Sequence, residues 1–303
     1  MKKYLLAILL IGSVVFAQSN QGSNDEVVQN LSHGQVNWTS KVIVVTGSAA
    51  PNLKGGVVAA QVRLQTERAA ELDAYRKILE IVKGVKVDSQ WTIGDMMQAV
   101  PEVKTSVEGI IKGMKRIDTK YYSDGGVDVI VQVDLEGMMA STVAKEVVKK
   151  SSAEKRGDAV TVDKKEEAAK DKEVKKVEEK KVEAKKEEKK EEKKAEMADT
   201  TGVIINVKGH PYQPVMFPRI VDDKNNEIFA LDKADQSLVN EGRVVSYYLN
   251  ENAAKNSDRV KDRPIIINAV SVRNKSEIVI KSEDAKKINK DLFRTGRIAI
   301  VVD

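Results

Sequence analysis

The chain has 303 residues, 41% hydrophobic but only 4% aromatic, with a formal charge of +5 and no cysteine. That length predicts about two domains with modest cores, and the absence of Cys excludes a disulfide framework, a thiolate nucleophile and attachment of a lipid through an N-terminal Cys. Residues 18–150 hold sixteen Lys and Arg against sixteen Asp and Glu, and 195–303 hold seventeen against sixteen, so the clustered basic footprint of a nucleic-acid binder is missing and no such partner is expected.

Residues 1–17 open with Lys2 and Lys3, continue as an apolar run and end in Val15-Phe16-Ala17. This is the three-part pattern of a secretory signal peptide, too short to span a bilayer, where about 20 residues are needed. Cleavage after Ala17 and a periplasmic or cell-envelope location are expected. Residues 18–40, rich in Asn, Gln, Ser and Gly, read as a flexible leader. The β-branched run Val42-Ile43-Val44-Val45-Thr46, closed by Gly47, predicts a strand buried on both faces.

Residues 57–82 lack Pro and Gly, are dominated by Ala, Leu, Glu, Arg and Lys, and stop near Gly84, which predicts one long helix. At about 100° per residue, Leu64, Leu72, Tyr75, Ile78, Leu79 and Val82 fall within an arc of roughly 120°, a core-facing stripe. Arg68 and Glu71 intrude on it. They read as a solvated pair at the sheet margin, yet with Asp73 they are the folded part's best candidates for ligand or partner contacts. Val85-Lys86-Val87 then alternates as a strand. Short helices are expected over 95–100 and 101–112, the second started by Pro101. Residues 117–122 and 127–135 flank Ser123-Asp124-Gly125-Gly126 as a hairpin, with apolar residues at every odd position of the second arm. The long helix should cover that face.

A helix over 138–150 leads into 163–194, where twenty-six of thirty-two residues are charged. Such a tract lacks the apolar residues for a core, and its KKEE period puts like charges at i,i+4. A solvated tether of fluctuating helicity is expected, with a coiled coil as the competing reading. Residues 199–303 return to ordinary composition with strands over 203–207, 219–221, 227–229, 244–249, 264–270, 278–280 and 297–303, and a helix starting at Ser282-Glu283-Asp284-Ala285. The expected class is α+β: two small domains, 41–150 and 199–303, each a sheet packed with helices and joined by the charged linker 151–198. They should unfold independently.

The order Thr46-Gly47, Arg68-Ala69-Ala70-Glu71-Leu72-Asp73-Ala74-Tyr75-Arg76, Val82-Lys83-Gly84-Val85 and Gly109-Ile110-Ile111-Lys112-Gly113 resembles the small outer-surface lipoproteins typified by Helicobacter, whose fold also forms the N-terminal domain of the flagellar assembly protein FlgT. The resemblance covers residues 41–137. The lipoprotein Cys has no counterpart here. Pro218-Arg219-Ile220, Gly242-Arg243-Val244 and the closing Ile300-Val301-Val302-Asp303 look similar to a C-terminal module that accompanies such domains in other exported bacterial proteins.

Chemistry is sparse. His33 and His210 stand in unrelated contexts, and no nucleophile elbow, phosphate loop or zinc helix is present. Asp223-Lys224-Asn225-Asn226-Glu227 alternates oxygen ligands but lacks the glycine and distal Glu of a calcium loop, so Asp and Asn are read as making a turn. The expectation is a non-enzymatic envelope protein, without cofactor or metal, assembling with envelope proteins. By the FlgT resemblance these belong to the flagellar basal body, with peptidoglycan or the outer membrane as further contacts of the tract. Two alternatives stay open: a small-ligand or lipid binding module, since a helix over a curled sheet leaves room for a pocket, and an acid/base hydrolase using the carboxylates.

Overall fold

The computed structural model describes residues 26–52, 58–155 and 200–303. The signal peptide, the first residues of the leader and the charged tract 163–194 lie outside the described residues. The architecture is α+β, an N-terminal sheet with helices and a separate C-terminal sheet domain.

The N-terminal module is an antiparallel sheet of β1 (Val28–Leu31), β2 (Gly34–Asn37), β3 (Val42–Ala49), β4 (Lys115–Tyr121) and β5 (Val127–Asp134), in the order β1-β2-β3-β5-β4. The second half of the expected leader is therefore a hairpin. Its polar composition conceals Val27, Val36 and Trp38, all buried, and the Trp38 amide closes the ladder on the Val27 carbonyl at 2.8 Å. β5 buries Val127, Val129, Val131 and Val133 on one face, as its alternation predicts. β3 buries only Ile43, Val45 and Gly47 and leaves Val42 and Val44 half-buried, so it is packed on one face rather than two.

Helix α1 (Ala59–Gly84) crosses β3 and β5 with a stripe rotated from the one expected, the two sharing Ile78 and Val82. Thr66, Ala70, Ala74, Ile78, Ile81 and Val82 are buried, whereas Leu64 and Leu72 are 63% and 66% exposed and Tyr75 and Leu79 only partly buried. The reason is close approach. A Cβ built on Gly47 would lie 2.1 Å from the Ala70 carbonyl oxygen and 2.4 Å from the Ala74 amide nitrogen; the backbones touch, and only small side chains fit between them. The bulky leucines are turned outward. α2 (Ile93–Ala99), started by a Thr92 and Asp95 capping box, and α3 (Pro101–Lys112), with Pro at its first turn, follow. The expected strand at 85–87 is reduced to one bridge between Lys86 and Thr92, and α4 (Met138–Lys155) packs on α3.

The C-terminal module holds two four-stranded sheets. β6 (Gly202–Asn206), β9 (Ser246–Tyr248), β10 (Pro264–Asn268) and β13 (Ile298–Val301) form an all-parallel sheet ordered β10-β6-β13-β9. β6 and β13 are apolar runs buried on both faces, as parallel strands require. β7 (Arg219–Asp222), β8 (Glu227–Phe229), β11 (Ser271–Arg273) and β12 (Glu277–Ile280) form a mixed sheet, β11-β12-β7-β8. The short helices α5 (Gln236–Glu241), α6 (Glu251–Lys255), α7 (Ser282–Ala285) and α8 (Lys290–Arg294) link them.

The two modules dock, which the sequence reading of independently unfolding domains did not foresee. One buried apolar cluster runs through both. The Met216 and Phe217 amides donate to the Lys86 and Val87 carbonyls at 3.1 and 2.8 Å, using the segment expected as a strand. Tyr247, fully buried, meets Trp38 edge-on at 6.0 Å between ring centres, and the Thr39 hydroxyl donates to the Tyr247 carbonyl at 3.0 Å. α4 packs on α5, and the buried Lys41 ammonium donates to the Gly242 carbonyl.

Candidate functional site

Arg68, Glu71 and Asp73 share a helix but not a site. Glu71 is half-buried and lies 3.3 Å from Arg116 of β4, which also pairs with Glu67. The Tyr121 hydroxyl donates to Glu67 at 3.1 Å, and the Arg63 guanidinium stacks 4.1 Å over the Tyr121 ring. This network clamps the edge strand β4 to α1. Its hydrogen bonds from Arg116 and Tyr121 hold the Glu67 carboxyl below its ordinary range. Asp73 accepts from the Ser48 amide at 3.0 Å and pairs with Lys77 at 2.8 Å, while Lys77 donates to the Thr46 carbonyl at 2.9 Å. Asp73 thus ties off the end of β3, a structural task. Arg68 is exposed, between Leu64 and Leu72 on the outward stripe of α1.

The histidines are apart. His33 sits at the β1–β2 turn, 3.8 Å from Glu80, beside a groove of about 230 Å³ between Trp38, Lys86 and Gln213 where the modules meet. The His210 ring lies 3.3 Å from the Ala269 carbonyl. The oxygen-rich turn after β7 is held from within: Asp222 accepts from the Lys224 and Asn226 amides at 3.0 and 2.7 Å and from the Ser282 hydroxyl at 3.0 Å, with Asn225 at φ 64°. These donors, Asn226 first, keep the Asp222 carboxyl below its usual range.

A strongly charged cavity carried no sequence signal. A pocket of about 370 Å³ is lined by Arg243, Arg259 and Arg297 together with Ser246, Tyr248 and Asp258. These residues come from β9, from the segments just before β9 and β13, and from the loop before β10. Arg259 is the fixed member. Its Nε donates to the Ser246 hydroxyl at 3.0 Å and its Nη1 to the Arg243 and Gly296 carbonyls at 2.8 and 2.7 Å. Gly296, at φ 66°, holds a left-handed backbone that side chains rarely adopt, and a Cβ there would lie 2.8 Å from Leu238 and 3.3 Å from the Arg259 Nη1. Burial, with Arg243 alongside, lowers the Arg259 pKa, although a guanidinium stays charged. Lys41, next to Gly242, feels the same cations: burial first, then Arg259 and Arg243, lower its pKa to about 8, against the attraction of Glu136. Arginines spaced 16 and 38 residues along the chain carry no local sequence signal.

Compared with known proteins, residues 202–303 match the family model of the second domain of Treponema pallidum Tp0624. The matched residues lie outside 41–137, and the match lends no support to the lipoprotein and FlgT resemblance expected there. A search of curated proteins returns no match.

Proposed function

We propose that the protein is a non-enzymatic, exported component of the bacterial cell envelope that acts by holding protein partners, with the flagellar basal body as the setting the FlgT resemblance favours. The observation supporting this reading is the two-sided character of α1. One face is packed against the sheet by Ala70, Ala74 and Ile78, and the other presents Leu64, Arg68 and Leu72 to solvent on a rigid element. A partner of matching chemistry carries apolar residues spaced by acidic ones. No helix among the described residues is long and apolar enough to cross a membrane.

The test is a photo-crosslinking residue at position 64 or 72 in cells. The reading expects a discrete adduct with an envelope protein, lost on Arg68→Glu while the protein level is unchanged. Adducts no different from those at a position on the opposite end of the molecule, or protein retained in the cytoplasm with Met1 intact, would overturn it. A second reading, a small-ligand binding module, is favoured by the arginine-lined pocket.

A further inference from the structure

We infer that the pocket of Arg243, Arg259 and Arg297 binds a phosphate monoester group. Three arginines and one acidic residue, Asp258, line a common space, and guanidinium donors are well matched to oxyanions. Planar carboxylates offer two oxygens, whereas a phosphate monoester offers three at tetrahedral directions, which suits cations arriving from three separate segments of the chain. The fold has prepared the central one. With Nε and Nη1 of Arg259 committed to Ser246, Arg243 and Gly296, its Nη2 has no partner among the described residues and is held without further loss of side-chain freedom on binding. The Arg297 side chain likewise makes no ion pair among the described residues, and Arg243 has only Glu241 at 3.7 Å.

Like charges gathered in this way repel, and Lys41 across the module junction adds to them, with Glu136 offsetting part of the repulsion. A bound dianion relieves that repulsion, so binding and the docking of the two modules should reinforce each other. A volume of about 370 Å³ exceeds what the phosphate alone fills, since a water occupies about 30 Å³, and leaves Tyr248 as a wall for the esterified group. The phosphate can be that of a small soluble ester or of an anionic lipid headgroup. This inference does not depend on the outward face of α1, and its test reads a different end of the molecule.

The experiment is calorimetric titration of the full mature chain with inorganic phosphate and with glycerol 3-phosphate, against sodium chloride at matched ionic strength. Flotation with phosphatidylcholine vesicles, with and without phosphatidic acid, runs alongside. Saturable binding beyond the salt control is expected, weakened about tenfold by Arg297→Gln and further by Arg243→Gln with Arg297→Gln, in line with the strength of charge-assisted hydrogen bonds. These two are the informative variants because, unlike Arg259, their side chains hold no backbone carbonyl. Both variants should melt within about a degree or two of the parent in the absence of phosphate, because each removes a like charge and the exposed Arg243–Glu241 pair lost in the double variant contributes little. Selective flotation with phosphatidic acid, lost in the double variant, assigns the phosphate to lipid; binding of the soluble ester without flotation assigns it to a small molecule. Phosphate no better than chloride in every arm, or a folded double variant that binds as the parent does, would overturn the inference.

Discussion

Gly47 shows how a single residue sets the geometry around it. Its missing side chain lets β3 and α1 touch through backbone, and Gly47→Ala drives a methyl into the Ala70 carbonyl and the Ala74 amide. A loss of about 1 to 3 kcal/mol, the usual range for overpacking, is expected in chemical denaturation. The same contact decides which side chains of α1 matter. Ile78→Ala, at full burial, should cost about 2 to 5 kcal/mol, whereas Leu72→Ala should stay within about 0.5 kcal/mol. The sequence made the existence of α1 legible, but not its rotation. Periodicity weights a leucine as inward and an alanine as neutral, while a backbone-to-backbone contact selects the reverse. Glu71 and Asp73 were legible as unusual polar residues, but their partners, Arg116 and the Ser48 amide, lie across the sheet, where no local pattern points.

Tyr247 carries a polar obligation into the buried junction. Its hydroxyl donates to the Val215 carbonyl at 2.8 Å, accepts from the Val215 amide at 3.1 Å and meets the Tyr212 hydroxyl at 3.1 Å. Tyr247→Phe keeps the ring packing against Trp38 but strands those groups, so a loss of about 1 to 3 kcal/mol is expected, measurable by urea titration. Lys41 gives the complementary pH signature. Its folded pKa of about 8 lies below the ordinary 10.5, so the folded state releases the proton first and the unfolded chain binds more protons between those values. Stability should therefore rise from about pH 8 towards pH 10. Above pH 10 the opposite sign enters, because burial raises Tyr247 from 10.0 to about 12 and the unfolded tyrosine ionises first. Lys41→Met should flatten the rise below pH 10; an unchanged slope would assign it to another group.

Among whole elements, those with a local signal were legible, strands and helices alike. The β5 alternation, the Asp124-Gly125-Gly126 turn with Gly125 at φ 85°, and the Pro101 helix start each have a local cause that survives in the fold. The β1–β2 hairpin escaped because its core contribution rests on three residues, Val27, Val36 and Trp38, scattered among polar ones. The segment 85–87 has the chemistry of a strand, but its carbonyls are taken by Met216 and Phe217 of the other module. The short helices α5, α6 and α8 escaped for a different reason. At five or six residues each, they are too short to show a helical period and are fixed by caps such as Asn250 and Asn289 and by packing.

At the scale of the whole molecule, the shared core between modules changes what the charged tract is for. A tether between free domains sets their reach; a connection between docked ones sets the effective concentration of a contact that already forms. Composition gave no warning of the docking, since the surfaces involved, around Trp38, Tyr247 and Val87, are apolar residues that each module could equally have buried within itself. The arginine pocket was invisible for the same reason, because it exists only after the parallel sheet has collected separate segments of the chain.

The docked arrangement is tested most directly by placing a protease site within residues 163–194 and cutting the folded protein. The halves should stay together on size exclusion and unfold in a single calorimetric transition, with Trp38→Ala lowering that transition for both. Separation of the halves after cleavage, or two transitions of which Trp38→Ala moves only one, would contradict it.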